Sequence, residues 1–507
     1  MQSQHTSIWV QTGQLPSFPK LETDLQADVV VVGGGITGVT TAYLLAKKGV
    51  RVVVLESEKI GSGTTGFSTG HLTSGVDADY SFIASRFSKE TARLVAKSLK
   101  DAIDCIEQIC RQENLDADFV RLPAYQFAEE ESQVQEVEDE AFATTEAGLI
   151  NQLGDSVPLP FPVKRSLKLE EQAEFHSLKF VQGLAQRFQQ MGGQIFEHTH
   201  VTDADDSNPC VVTTKDGHKV TAKQIVLATH TPIQFNVVQT ELLPYQSYVV
   251  VAKLDGQTIP KALYWDTLEF YHYIRTYEAD GQTYLIVGGE DHKVGERSVD
   301  ENEPFRKLEG YIRDRFGNLE ISHRWSAEYF YSADGLPFIG QSPFGRNKYI
   351  ATGFTGDGLT FSVVSAMLLS DLLTGAKNPL SRIYDPARFN LAASATDLAE
   401  QNLDFLYRFV KDRFTTDAKH VADVPAGEGR LVRVEGQQLA VYRDEHDTVH
   451  MLSPICTHMH CIVQWNKAEK TWDCPCHGGR FSCTGEVLVG PPVRALTRKE
   501  IKAEKEA

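Results

Sequence analysis

Apolar residues recur along this chain in three rhythms, and each predicts a different kind of element. The first is a short unbroken run, Asp28–Val32, followed by helical spacing over 37–48 and a second run from Val50 to Leu55. Continuous β-branched runs of this length mark strands buried on both faces, as in a parallel sheet. The second rhythm is helical. Ile103, Ile106 and Ile109 predict one uninterrupted helix from about Ala84 to Arg111, and Leu178, Val181, Leu184 and Phe188 predict an amphipathic helix over 176–192. QIFEHTHV (194–201) reads as a strand, and 211–230 as a hairpin that turns at Asp216-Gly217 and enters the apolar strand Gln224–Ala228. Over 348–375 the pattern is strand, glycine turn and long apolar helix. The third rhythm is aromatic: 242–254, 262–267 and 270–276 read as strands. In the last of these Tyr271, Tyr273 and Arg275 share one face, and His272 and Ile274 the other.

Beyond these, Ala399, Leu403, Leu406 and Val410 predict a packed helical connector within 385–417. The tail then breaks into short segments (GRLVRVEG, QQLAVYRD, DTVHMLSP, CIVQW, TWDCP), which suit an antiparallel barrel-like domain. At 507 residues, two or three domains are expected. The net charge of −18 argues against nucleic acid as a partner. From His420 onward Lys and Arg number 11 against 12 Asp and Glu, so nearly all the acidity lies in the first 419 residues. The opening MQSQHTSIWV has no basic region before an apolar run, and no 18-residue apolar stretch exists, so a cytoplasmic address without a transmembrane segment is expected.

Gly33, Gly35 and Gly38 form G-x-G-x-x-G between the first strand and the first helix, and Glu56 ends the second strand, 23 residues after Gly33. The first Gly makes the tight turn, the second admits a pyrophosphate to the backbone, and the third lets helix pack on strand. The phosphates meet the helix N-terminus, and Glu56 accepts from a ribose hydroxyl, so a dinucleotide site is expected. A second loop rich in Gly, Ser and Thr follows (61–75). It reads either as close packing against a large rigid ligand or as a flexible surface loop. The Glu-rich stretch Glu129–Glu138 reads as a solvated face, with a funnel for cationic substrates as the sharper alternative.

Five of the eight cysteines lie after residue 450, which is metal-site usage. Cys456 and His458 are separated by one residue, Cys474 and His477 by two, and 15 residues lie between the pairs. Two thiolates and two imidazoles suit a [2Fe–2S] cluster with thiolates on one iron and imidazoles on the other. Zinc is the rival, but the single residue between Cys456 and His458 fits its usual spacing poorly.

The tail resembles a Rieske domain, whose motif is C-T-H-x-G-C followed by C-P-C-H-G-S. Cys456, His458, Cys474 and His477 fall on its ligand positions, and Cys461 and Cys476 on the cysteines that are often disulfide-linked. His460 stands where the family prefers Gly, and Gly479 where high-potential members carry Ser. The paired extra cysteines make the tail more similar to the cytochrome-complex branch than to the arene dioxygenases.

Residues 27–390 resemble the FAD-dependent amine and amino-acid oxidases, the glycine and sarcosine oxidase relatives. The pyrophosphate loop falls on Gly33–Gly38, the ribose acid on Glu56, the isoalloxazine-flanking loop on Gly63–His71, a D-G-L-P-x-I-G element on Asp334–Gly340, and the flavin-carbonyl loop on Gly353–Gly358. The resemblance implies non-covalent FAD held by Gly33, Gly35, Ile36, Thr37, Gly38, Glu56, Gly63, Thr64, Thr65, Val201, Gly353, Gly356, Asp357, Gly358, Leu359 and Thr360. Because such enzymes cover the ring with an aromatic sheet, His71, Tyr248, Tyr271, Tyr273 and Arg275 become substrate-side candidates. Arg275 has the fork to bind a carboxylate bidentately. Phe67 stands where relatives often carry Arg and Asp357 where they often carry His, which removes positive charge from the flavin's surroundings.

The implied fold class is α/β: a two-domain FAD-binding fold followed by a small all-β Rieske domain. Its Rossmann-like nucleotide domain is expected over 27–111, 166–234 and 324–384, and an antiparallel-sheet substrate domain over 112–165 and 235–323. A helical connector spans 385–424 and the Rieske domain 425–507. The function expected is an amine or amino-acid dehydrogenase passing electrons from FAD to one [2Fe–2S] cluster and an unidentified acceptor. Two alternatives stay open: a reductase or monooxygenase fed through the cluster by a donor, and a non-enzymatic redox sensor.

Overall fold

The structure is a computed structural model and describes residues 6–13, 16–268, 270–296, 300, 302–388, 411–413 and 415–499. It divides into two compact units. The first takes its residues from 1–231, 246–291 and 304–388, and the second from 232–245, 292–303 and 389–507.

The first unit is organised by a six-stranded sheet in the order Phe338–Gln341, Lys348–Thr352, Gln224–Leu227, Val29–Val32, Val52–Leu55, Gln194–Phe196. Val29 aligns with both Val52 and Gln224 in parallel register, and all four residues of Val29–Val32 are buried. A strand with neighbours on both sides and helices on both faces has no polar face, which is why its sequence is an unbroken valine run. The helix Ile36–Lys47 follows and packs on Gly358–Leu373 and Ser177–Gln190. Gly358–Leu373 also meets Lys89–Gln112, so it is apolar nearly all round, as a helix enclosed by others must be.

A larger sheet runs in the order Glu320–Ser332, Leu242–Lys253, Gln282–Lys293, His272–Ala279, Leu263–Asp266, Val120–Ala128, Arg165–Glu174, His71–Leu72, with Asn151–Gly154 beside Arg165–Glu174. It draws in Arg165–Glu174 and most of Glu320–Ser332, which lie across the domain bounds expected from sequence. One face packs on the helix Glu303–Phe316 through Tyr248 on Phe305 (centroids 4.9 Å) and His272 on Tyr311 (4.0 Å).

Two expectations need correction. The single helix over 84–111 is two, Tyr80–Arg86 and Lys89–Gln112, because Ser88 caps the second by accepting from the Thr91 N–H at 3.0 Å. The polar opening of the chain contains the short helix Ile8–Thr12, whose Trp9 is fully buried.

The second unit holds a three-stranded antiparallel sheet (Glu428–Val434, Gln437–Arg443, Val449–Leu452) and a four-stranded one (Gln464–Asn466, Thr471–Asp473, Arg480–Ser482, Val487–Val489). Leu431, Leu452, Trp472 and Phe481 fill its core. The last two strands carry no sequence signal beyond three-residue runs. The connector stripe Ala399, Leu403, Leu406 and Val410 lies outside the described residues. Among the described residues no helix is long and apolar enough to cross a membrane.

Candidate functional site

The dinucleotide loop is built so tightly that only glycine fits. Gly33 sits at φ +109°, and a Cβ there would stand 2.3 Å from the Ala228 carbonyl oxygen; one on Gly38 would stand 2.0 Å from the Gly33 oxygen. Gly35 is the N-cap of Ile36–Lys47 and offers no side chain, so the helix end faces outward, with the Thr65 hydroxyl accepting from the Ile36 N–H at 3.1 Å. This open, positive helix end is what a pyrophosphate requires. Thr37 donates to Ser362 at 2.8 Å and so joins the first helix to the late apolar one. Glu56 accepts from the N–H groups of Gly34 (2.6 Å) and Glu58 (2.9 Å). Burial raises its carboxyl, and those N–H groups oppose the rise. The Thr199 N–H donates to the Glu56 carbonyl at 2.8 Å, which brings the chain leading to buried Val201 alongside this acid. The residues present fit FAD.

The loop over 61–75 is held from several directions. Trp325 donates to the Phe67 carbonyl at 2.8 Å, Trp9 to Ser68, Ser7 to Gly66 (2.5 Å), and Ser177 to Thr65 (2.8 Å). Thr64 pairs with His230 at 2.7 Å, and Gly63 caps the short helix Thr64–Phe67. Arg275 closes the clasp: its Nη1 donates to the Thr69 and Gly70 carbonyls at 3.0 and 2.9 Å, and its Nε lies 3.1 Å from Glu174. The guanidinium is 1% exposed. It is a positioning group for the loop, neutralised by Glu174.

Tyr271 and Tyr273 do share the Arg275 face, with ring centroids 5.8 Å apart, and Tyr273 meets His71 edge-on at 5.7 Å. The Tyr273 ring lies across Gly288, where a Cβ would be 2.1 Å from it, and its hydroxyl reaches Ser247 at 2.9 Å. Tyr248 is a correction: strand alternation sends it to the opposite face, against Phe305, and puts Ser247 beside Tyr273. His71 pairs with Thr69 through Nδ1 (3.0 Å), while Nε2 is buried without a hydrogen-bond partner. Burial, and then the charge of Arg275, push its pKa down to about 3, so the ring is neutral.

Two carboxylates that no motif announced complete this face. Tyr271 donates to Asp77 Oδ2 at 3.3 Å, and Asp77 also accepts from the Gly356 N–H. Tyr329 donates to Asp291 Oδ2 at 2.9 Å and Ser247 bonds the same carboxylate, leaving Asp291 Oδ1 buried and unpartnered. Burial raises Asp77 to about 6 and Asp291 to about 7. The flavin-carbonyl loop expected at Gly353–Gly358 leads into Gly358–Leu373, which includes Leu359 and Thr360 in its first turn. Its N-cap Asp357 accepts from the Asp77 N–H at 3.0 Å, and burial drives its own pKa well above the carboxylate range.

In the second unit the two ligand loops face each other. Cys456 and Cys474 are 1% and 2% exposed. Cys456 accepts from the N–H groups of His458 and Met459, and Cys474 from those of Cys476 and His477, a cradle suited to thiolates. The rings of His458 and His477 stand 5.1 Å apart at 86°. The sulfurs of Cys461, Cys474 and Cys476 lie within 4.8 Å of one another, but Cys461 and Cys476 form a disulfide and so are not ligands. Cys456, His458, Cys474 and His477 remain as the donor set, and it fits a [2Fe–2S] cluster. Gly479 leaves no room for serine: a Cβ there would meet Pro492 Cδ at 2.7 Å.

Both parts of the chain match known families. The family model for FAD dependent oxidoreductases matches residues 28–372, and that for the Rieske [2Fe-2S] domain matches residues 415–500. The Rieske 2Fe-2S iron-sulfur protein YhfW of Bacillus subtilis is 32% identical over 98% of this chain and 97% of its own. The gamma-glutamylputrescine oxidoreductase of Escherichia coli is 25% identical over 74% of this chain and 90% of its own. The L-proline dehydrogenase of P. horikoshii shares the fold with a TM-score of 0.60 at 19% identity, over 72% of this chain and 98% of that one. With its glycine cradle, Glu56 beside it and Cys/His loops in place, the chain belongs to the FAD dependent oxidoreductase family, with a Rieske [2Fe-2S] domain following the FAD-binding part.

Proposed function

We propose that the protein is an amine or amino-acid dehydrogenase whose electrons leave through the Rieske cluster to an external acceptor. When bound, FAD supplies a two-electron acceptor and the cluster a one-electron carrier. The observation that carries this reading is the absence, among the described residues, of an uncompensated cation on the substrate-side face. Reduction of oxygen develops negative charge that a nearby cation must stabilise. Here Arg275 is neutralised by Glu174, His71 is neutral, and Phe67 and Asp357 occupy positions where relatives often carry Arg and His. Lys48 and Lys261 pair with Asp371 (2.8 Å) and Glu278 (3.5 Å), so neither supplies the missing charge.

The side chains have separate duties in this reading. Tyr271 and Tyr273 cover the reacting face and exclude water, Ser247 fixes the Tyr273 hydroxyl, and Arg275 holds the backbone of the loop at Thr69 and Gly70. An amine donor is favoured because the Escherichia coli relative is named for gamma-glutamylputrescine. A cytoplasmic setting is favoured because Cys105, Cys110, Cys210 and Cys483, the cysteines outside the cluster's donor set and the Cys461–Cys476 bridge, form no disulfide.

The test is an anaerobic screen of amines and amino acids, followed by mixing the reduced protein with oxygen or with an artificial one-electron dye. Slow reaction with oxygen, together with dye reduction that is lost in Cys456→Ser, is the expected result. Rapid reoxidation by oxygen, equal in Cys456→Ser and the unmodified protein, would refute the reading.

A further inference from the structure

We infer that Asp291 and Asp77 form an ammonium receptor on the substrate-side face, so that the substrate enters as a cation with no carboxylate beside its nitrogen. This rests on the dehydrogenase reading above and narrows its amine-or-amino-acid alternative to amines.

Tyrosines and carboxylates line this face. Its polar groups form one connected set. Asp77 bonds Tyr271, Tyr271 packs on Tyr273, Tyr273 bonds Ser247, and Ser247 and Tyr329 bond Asp291. Two buried atoms in or beside this set have no partner, Asp291 Oδ1 and His71 Nε2, and both belong to residues next to the Tyr273–Ser247 pair. A buried carboxylate oxygen left without a donor costs free energy unless a ligand supplies one. An ammonium group supplies N–H donors and positive charge together, and the flanking tyrosine rings add favourable faces for a cation.

The opposite ligand charge is disfavoured. A substrate carboxylate needs a guanidinium or ammonium partner, and the buried guanidinium here, Arg275, is committed to Glu174 and to the carbonyls of Thr69 and Gly70. Among the described residues the charged groups that act with Asp77 and Asp291 are acidic: each other, Asp79, Asp357 and Glu290, the last of which is paired with Lys307 at 3.0 Å. An α-amino acid would have to place its carboxylate within this negative field.

The experiment titrates the flavin-loaded protein with tert-butylammonium, which carries N–H donors but no α-hydrogen and so cannot be dehydrogenated, and with butyrate, reading the flavin absorbance and the heat of binding. The cation should bind the unmodified protein, butyrate should not, and Asp291→Asn should weaken the cation at least tenfold while keeping its FAD content. A KM for n-butylamine raised at least tenfold in Asp291→Asn, with kcat within threefold, would support the same assignment. Butyrate binding more tightly than the cation would overturn the receptor without the need of any variant. Equal cation affinity in Asp291→Asn would overturn it as well. If α-amino acids alone reduce the flavin, the receptor falls and the dehydrogenase reading stands. Cation binding that needs Asp291, without reduction by any amine, would uphold the receptor and refute the dehydrogenase.

Discussion

Arg275→Met separates two roles for the one buried guanidinium of the substrate-side sheet. If it binds a substrate carboxylate, its loss raises KM and leaves stability alone. If it clasps the 63–71 loop, its loss destabilises the FAD-binding unit. The side chain is 1% exposed, Glu174 is 3% exposed, and the two are 3.1 Å apart. Removing one member of such a pair leaves the other charged and buried, at a cost of about 3–5 kcal/mol. The backbone carbonyls of Thr69, Gly70 and Phe175 also lose a donor, Gly70 keeping the Phe175 N–H at 3.2 Å. At roughly 2–4 °C per kcal/mol for large domains, the melting temperature should fall by about 6–20 °C. The double variant Arg275→Met/Glu174→Met removes both charges and should recover much of that loss, since well-packed apolar replacements of buried pairs are often near neutral. Release of flavin fluorescence on heating and the FAD content at purification report the effect. A single variant that melts like the unmodified protein, or a double variant no more stable than the single, would refute the clasp.

Three further outcomes are expected. Burial opposes the charging of His272, but its bonds to Asp266 (2.8 Å) and Glu290 (3.5 Å) outweigh it and raise its pKa to about 9. Because the folded value lies above the ordinary 6.5, its contribution, on the order of 3 kcal/mol, is complete below pH 6.5 and is lost as pH rises through 9. The stability gap between His272→Gln and the unmodified protein should therefore narrow over that window, and a constant gap would contradict the pairing. Gly288→Ala drives a Cβ into the Tyr273 ring and should destabilise by about 1–3 kcal/mol in thermal unfolding. Most of that cost should vanish in a Tyr273→Ala background, and an equal cost there would exclude the contact. Gly479→Ser should raise the cluster's potential less than Gly479→Ser/Pro492→Ala does, because in the single variant the new Cβ meets Pro492 Cδ at 2.7 Å and the side chain cannot settle without a shift. Equal potentials for the two variants in a redox titration would refute that account.

Local signals made much of this legible in the sequence. Gly33, Gly35, Gly38 and Glu56 lie within one strand–helix–strand unit, and Cys456, His458, Cys474 and His477 within two loops, so spacing alone expressed their chemistry. Asp77 and Asp291 are 214 positions apart and belong to no motif; strand pairing and the loop 353–358 bring them to one face. Tyr248 was assigned to the wrong face because alternation fixes which residues are together on a strand but not which face looks toward the cofactor loop. Alternation puts Arg275 with Tyr271 and Tyr273, yet its partner Glu174 comes from a distant strand that sequence periodicity does not connect to it. Trp9 lay in a stretch that composition marked as polar, and its importance comes from burial against the loop rather than from any pattern around it.

The departures at Phe67 and Asp357 have structural reasons that connect them to the rest of the face. At Phe67 the group the fold uses is the backbone carbonyl, which accepts from Trp325. Asp357 accepts from the Asp77 backbone, and a side chain on Gly356 would collide with the Asp77 carboxylate at 1.8 Å. Asp357 and Asp77 therefore belong to one arrangement: the acid at 357 orders the turn that delivers the acid at 77. The chain's charge follows the same division. The tail from His420 carries 11 basic against 12 acidic residues, so the −18 of the whole chain belongs almost wholly to the part that contains this face. A strongly acidic body attracts cations over distances well beyond contact, while a nearly neutral tail neither attracts nor repels a charged partner by net charge. In the proposed reading, substrate entry and electron exit thus meet different fields: the FAD-binding part favours a cationic amine, and the Rieske domain leaves the acceptor to be selected by local fit.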